Sequence, residues 1–198
     1  MQNIAVLGGG PAGAFAGELL AGAGFFVTIV DEKLAWEKPC GGGLTAKALQ
    51  HYPFLASSDV PKRFVDRIVL VASNGARAWM RLRQPLAIYS RQVLNGLLLD
   101  RARRSGANVV QDRVIGAERQ GSFWQFRGKK DNYGADFCVV ATGARNPLRQ
   151  MGTELSPADA YVALGYFVPR LQEHIEIQFL RQLEGYIWVF PRTDHLSV

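Results

Sequence analysis

Gly8, Gly10 and Gly13, followed eighteen positions later by Asp31, are the residues best suited to bind a charged ligand. Gly8 permits a tight turn, Gly10 lets a pyrophosphate approach the backbone, and Gly13 lets a helix pack closely on a strand. Pro11 and Ala12 open that helix, where free N–H groups and the helix dipole favour negative charge. Asp31 stands where a carboxylate accepts hydrogen bonds from a ribose diol. An apolar run precedes the glycines, a helical pattern follows, and a second apolar run from Phe26 to Val30 leads into the acid. Together they make the dinucleotide-binding fingerprint in its required context.

A second reactive group is Cys40, within Lys38-Pro39-Cys40-Gly41-Gly42-Gly43-Leu44. Three consecutive glycines cost backbone entropy and belong where the chain passes close to something flat or bulky. Lys38 favours a thiolate at Cys40, and the bland alternative is a cysteine that only packs. Cys138, in an apolar strand, reads as a small core residue. Arg91 heads a helical pattern, where its charge opposes the positive helix end unless an anion sits there. The alternative is a solvated first-turn side chain. His51, His174 and His195 have no metal-ligand spacing, and no metal is expected.

These groups need a scaffold, and hydrophobic periodicity supplies one. Residues 11 to 23 read as a helix with Ala16, Leu19, Leu20 and Ala23 as its apolar face, stopped by Gly24. A short helix is expected from Thr45 to His51. Asp66 to Arg83 reads as a hairpin around Asn74-Gly75, with Leu86 to Tyr89 as a further strand. Ser90 caps a helix carrying Leu94, Leu97, Leu98 and Ala102 on one face. Asn108 to Gln120, Phe123 to Arg127 and Phe137 to Thr142 follow as strands. Tyr161 to Val168, His174 to Leu180 and Gly185 to Phe190 then open an antiparallel sheet. Tyr186, Trp188 and Phe190 alternate along the last of these and read as one face of a core strand.

The chain has 198 residues, 48% of them apolar and 20% charged, enough for one large domain or one domain plus part of another. Its net charge of +6 suits an anionic ligand or surface. The basic residues are scattered, so no nucleic-acid partner is expected. No apolar run reaches the ~18 residues of a spanning helix, and no signal peptide is read. Two cysteines make no disulfide framework, which points to a reducing, cytoplasmic setting.

The fingerprint with Asp31, the K-P-C-G-G-G-L loop, Arg91, Ala141-Thr142-Gly143-Ala144-Arg145 and Gly185-Tyr186-Ile187-Trp188-Val189-Phe190-Pro191 occur in that order. In that order they resemble the geranylgeranyl reductase family, FAD flavoproteins built on the p-hydroxybenzoate hydroxylase fold. The resemblance implies an α/β protein. Residues 1–155 would form a Rossmann-like FAD-binding domain with a parallel sheet and a β-meander. Residues 156–198 would begin an antiparallel substrate-binding sheet, which the 66–89 segment partly joins. FAD is the implied cofactor, with NAD(P)H as a transient electron donor.

Residue by residue, the resemblance gives the FAD pyrophosphate to Gly8, Gly10, Pro11, Ala12 and Gly13. Asp31 serves the adenosine ribose, Glu32 is a further cofactor-binding residue, and the backbone of Val114 serves the adenine. Arg91 is given the phosphate or ribose region, and Ala141, Thr142 and Gly143 close over the nucleotide. Cys40, Gly41, Gly42 and Gly43 approach the isoalloxazine ring, with Cys40 the candidate catalytic acid or polar gate. Tyr186, Trp188 and Phe190 line a cavity for a small apolar or prenyl substrate.

One departure is the lack of a second flavin motif, an aspartate with glycine- and proline-rich backbone. The chain therefore reads as the N-terminal part of a longer flavoprotein. Three readings stand: reduction of carbon–carbon double bonds in a prenyl lipid, FAD-dependent aromatic hydroxylation or halogenation, or a non-catalytic nucleotide-binding fragment. Association with a membrane surface, and self-association through an incomplete sheet, are further expectations.

Overall fold

The structure, a computed structural model, describes all residues except 145, 147, 149, 150, 152–155, 157, 159 and 183. Arg145 of the A-T-G motif and the domain boundary drawn at 155 lie outside the described residues. The chain divides into two compact units, Met1–Trp36 with Leu94–Val162, and Glu37–Val93 with Ala163–Val198.

In the first unit, β1 (Asn3–Leu7) lies between β10 (Phe137–Val140) and β2 (Phe26–Asp31), and β6 (Asn108–Gln111) flanks β2. All of these pairings are parallel. Val6 and Ile29 are fully buried, as befits strands of a parallel sheet covered on both faces. Helix α1 (Pro11–Gly22) carries Pro at its start and buries Gly13, Ala14, Gly17 and Ala21. Leu19, expected on the apolar face, is exposed. The reason is distance. A Cβ on Gly17 would come within 2.5 Å of Ile29 Cδ1, so the helix meets the sheet through its smallest residues. From Leu94 onward, α4 (Arg91–Arg104) belongs to the same unit and buries Leu94, Leu98, Leu99 and Ala102. Arg101 pairs with Glu18 of α1.

A three-stranded antiparallel meander completes this unit, built from β7 (Val114–Gln120), β8 (Phe123–Gly128) and β9 (Asn132–Ala135). The periodicity merges β6 and β7 into one strand from Asn108 to Gln120, and the structure divides them at Asp112. That carboxylate is buried and accepts the backbone N–H groups of Arg113 (2.7 Å), Lys129 (3.1 Å), Lys130 (3.1 Å) and Asp131 (3.2 Å). It also accepts the Tyr133 hydroxyl at 2.8 Å. A buried acid with so many donors fixes the point where the chain leaves one sheet for another. Phe126, fully buried, joins the meander to Ala5, Leu7 and Val30 in one core cluster.

The second unit holds β3 (Gly43–Leu44), α2 (Ala46–His51), α3 (Phe54–Ser57), β4 (Arg63–Val71) and β5 (Arg77–Ile88). It continues with β11 (Phe167–Val168), β12 (Ile175–Phe179), β13 (Tyr186–Pro191) and β14 (Leu196–Ser197). The strands form one sheet in the order β11-β14-β13-β12-β4-β5-β3. Among the described residues, β12 with β4 is the one parallel pairing of this sheet and the others are antiparallel. Asn74-Gly75 makes the β4–β5 turn, with Gly75 at φ +87° and Asn74 Oδ1 accepting the Ala76 N–H at 3.0 Å. The segment from Leu86 to Ile88 is the end of β5 rather than a separate strand. Of the run from Tyr161 to Val168, only Phe167–Val168 is strand. Val65, Ile88 and Ile175 form the core, with Phe190 packed against it. Among the described residues no helix is long and apolar enough to cross a membrane, and no group of His, Cys, Asp and Glu could hold a metal.

Burial pushes the Asp112 carboxyl upward, but the Tyr133 hydroxyl and the N–H donors outweigh it and leave it at about 2, below its ordinary 3.8. Its stabilising effect is therefore complete above 3.8 and fades as the pH falls toward about 2. Asp112→Asn is expected to lower stability near neutral pH, with the gap to wild type narrowing as acid is added. Urea unfolding followed by circular dichroism across that range measures it. A gap that does not change with pH would remove Asp112 from this role.

Candidate functional site

The glycine turn is shaped by backbone that leaves no room for side chains. Gly8 has φ +107°, and a Cβ there would collide with the Ala141 carbonyl oxygen and lie 2.7 Å from the carbonyl carbon. A Cβ on Gly13 would strike the Gly8 carbonyl oxygen and come within 3.1 Å of Ala141 Cβ. The Gly8 N–H donates to Val30 O at 2.8 Å and the Ala141 N–H to Leu7 O at 2.8 Å, tying the turn to its neighbouring strands. Thus Gly8, Gly13 and Ala141 are brought together, backbone against backbone.

Gly10 differs. A Cβ there meets nothing within 4 Å. Gly10 is the N-cap of α1, offers no side-chain cap, and is followed by no acid in the first turn. The first-turn N–H groups therefore need an acceptor from outside the helix. An open, uncapped helix start between two parallel strands fits a pyrophosphate group.

Asp31, at the end of β2, accepts the Gly9 N–H at 2.9 Å through Oδ2 and the Lys33 N–H at 2.8 Å through Oδ1. The Leu34 N–H also donates to Oδ1, at 2.6 Å. The carboxylate thus braces the glycine turn and the chain that follows β2. Glu32 points elsewhere, toward Arg113 (3.5 Å) and Lys129 (3.7 Å). Val114 opens β7 and its side chain is core. Thr142 and Gly143 follow β10, with Gly143 at φ +75°.

The Cys40–Gly43 loop lies in the second unit. Cβ atoms on Gly41 and Gly43 would come within 2.7 Å and 3.2 Å of the Phe190 ring, so the loop lies flat against that ring. Gly42 adopts φ +70°, and a side chain there would collide with Tyr89 O and Arg192 Nη1. The Tyr89 N–H donates to Gly42 O at 3.0 Å. The Cys40 carbonyl accepts from Arg192 Nη2 at 2.6 Å and from Ser197 Oγ at 3.1 Å. Arg192 is 2% exposed, and its Nε and Nη1 have no hydrogen-bond partner. Burial pulls its guanidinium below the ordinary range, while Glu37, at 4.0 Å, opposes that shift. The Tyr186 and Trp188 rings lie 5.9 Å apart, and Trp188 Nε1 is buried without a partner.

Arg91 sits where a helix end wants an anion, and the structure supplies one. Glu37 accepts the N–H groups of Arg91 at 3.1 Å and Gln92 at 3.3 Å, and the Ser90 hydroxyl. Ser90 Oγ also accepts the Val93 N–H at 3.2 Å, capping the helix as its sequence predicts. The anion invoked for this helix start is therefore the protein's own carboxylate. Arg91 Nε remains buried without a partner. Glu37, Arg192 and Ser197 were not singled out in the sequence. Arg192 and Cys40 stand 152 positions apart, and no spacing rule links them.

The open space at Gly10 and the closed space at Gly13 predict losses of different size. Gly10→Val is expected to cost about 1 kcal/mol of stability, the loss of a favourable cap residue. Gly13→Val is expected to cost at least about 3 kcal/mol, the upper end of overpacking penalties. Thermal unfolding of both variants checks this, and equal losses would contradict the packing described.

No family model matches the chain. It is 27% identical, over an alignment 235 positions long, to the chloroplastic geranylgeranyl diphosphate reductase of Oryza sativa subsp. japonica, covering 99% of this chain and 48% of that protein. With the geranylgeranyl diphosphate reductase of Synechocystis it shares 25% over 228 residues, covering 99% and 54%. In fold it is similar to a geranylgeranyl bacteriochlorophyll reductase-like protein from Thermoplasma acidophilum, at TM-score 0.80 and 18% identity, covering 99% of this chain and 55% of that one. Halogenase PltM, solved with phloroglucinol and FAD, superposes with TM-score 0.78 at 16% identity, covering 99% and 50%. The chain spans about half the length of the curated relatives it matches. The chain thus has a Rossmann-like α/β fold and is similar along nearly all its length to proteins named geranylgeranyl diphosphate reductase.

Proposed function

We propose that the chain binds FAD and serves an oxidoreductase that reduces carbon–carbon double bonds in a prenyl or similar apolar substrate. The observation that carries the reading is the open, uncapped start of α1 at Gly10, with Asp31 held beside it through the Gly9 N–H. Sequence likeness to proteins named as geranylgeranyl reductases supports the substrate class. Bound FAD would supply hydride transfer, which side chains alone cannot perform.

In the proposed arrangement Gly8, Gly10 and Gly13 receive the pyrophosphate on backbone N–H groups. Asp31 takes the ribose diol and repels a 2′-phosphate, which disfavours a phosphorylated nicotinamide cofactor at this position. The Cys40–Gly43 loop is the segment proposed for the flavin ring, with Cys40 as proton donor or polar gate. Tyr186 and Trp188 offer aromatic surface to an apolar chain. Likeness to a halogenase rests on structures of low identity and supports the fold alone, so aromatic hydroxylation or halogenation is the weaker reading.

Calorimetric titration with FAD tests the cofactor assignment. Asp31→Ala is expected to weaken binding by about 1.5–3 kcal/mol, the range for a hydrogen bond to a charged group. Gly10→Val is expected to abolish binding while the protein stays folded. Wild-type affinity in both variants would remove this turn from the cofactor site.

A further inference from the structure

A buried arginine that donates to a main-chain carbonyl needs a reason for its position, because desolvating the charge is costly. Arg192 is the largest of the fully buried side chains, immediately after β13. Its own backbone is fixed on both sides: the N–H donates to His195 O at 2.8 Å, and the carbonyl accepts Arg63 Nη1 at 3.3 Å. The guanidinium reaches the Cys40 carbonyl, where Ser197 Oγ from β14 makes the second bond. Its Nη1 packs against Gly42, at a place that no side chain on residue 42 could share. The β13–β14 hairpin therefore grips the glycine loop at consecutive residues. Phe190 supports Gly41 and Gly43, and Arg192 with Ser197 holds Cys40.

Three adjacent glycines would otherwise sample a wide range of conformations. A Cys40 carried on such a segment would not stay in one place. We propose that Arg192 is a positioning residue: by holding the Cys40 carbonyl it fixes the backbone on which the Cys40 thiol is presented. A charged donor suits the task because its hydrogen bond is stronger than a neutral one. The importance of this for catalysis rests on the proposed role of the loop, whereas the anchoring itself can be tested with no cofactor present.

The test uses the whole chain without FAD and reads two things in each variant. One is the alkylation rate of each cysteine by iodoacetamide, resolved by peptide mass spectrometry. The other is hydrogen exchange of the peptide containing residues 38–44. Cys138, half-buried in β10 of the other unit, is the internal reference for global loosening. Arg192→Met keeps the stem and removes the donors. It is expected to raise Cys40 alkylation roughly tenfold or more, as for loss of one charged hydrogen bond, and to speed exchange in the loop. Cys138 should be unaffected. Arg192→Lys, which retains one charged donor, should restore much of the protection. If Arg192→Met does not fold, Ser197→Ala removes the second donor and is expected to give a smaller rise at Cys40 alone.

Unchanged loop exchange and Cys40 reactivity in a folded variant would overturn the proposal. So would equal increases at both cysteines, or a lysine variant no better than methionine. Failure of FAD to bind would count against the proposed function and leave these readouts intact.

Discussion

The first unit depends on a shortage of space. Where α1 crosses β1 and β2 and meets Ala141, the Gly8 carbonyl, Gly13, Gly17 and Ala141 lie so close that a single added carbon would displace backbone or the Ile29 side chain. Closeness here is what aims the helix start. A helix held further from the sheet by larger residues would not bring its first N–H groups level with the ends of the parallel strands. The loss of apolar burial in a helix face of glycine and alanine is offset by the strands themselves, which bury Val6 and Ile29 completely. Van der Waals contact between backbones thus does what side-chain packing does elsewhere in the molecule.

Each unit also contains a buried ionised group, and the two are compensated differently. Asp112 gathers backbone donors and one phenol, so its charge is dispersed over hydrogen bonds that also tie two segments of chain together. Arg192 is compensated less completely, with one strong bond to a carbonyl, the Glu37 carboxylate at 4.0 Å, and two nitrogens lacking partners. A fully satisfied buried charge is a structural device. One left partly unsatisfied is more often found where a protein handles ligands or reactive groups.

Much of this was legible in the sequence where the signal is local. The glycine spacing with its flanking apolar runs located the β1–α1–β2 unit, and Asn74-Gly75 located the hairpin turn. Ser90 announced its helix. Signals failed where tertiary contact decided the outcome. Leu19 kept helical spacing yet faces solvent, because the glycine face won the contact with the sheet. The division of Asn108 to Gln120 is made by Asp112, whose donors lie on the far side of a hairpin. Glu37 answers the helix start at Arg91 from across fifty-four positions of chain. Polar contacts of that range leave no periodic trace.

The parallel pairing of β12 with β4 has a consequence for how the molecule comes to exist. Ile68 sits opposite Ile175, so the sheet of the second unit waits for a segment made long after its hairpin has left the ribosome. Until then β4 carries an unpaired edge beside the apolar side chains of Val65 and Val69, the kind of surface that recruits wrong partners. The first unit has an interruption of its own, since β10 arrives after the hairpin and the meander have both been synthesised. Neither unit can finish before most of the chain has been made. Long-range pairings of this kind slow folding, because loop closure must come before the contacts that reward it. The β12–β4 pairing therefore leaves the edge of the emerging β4–β5 hairpin uncovered until late in synthesis.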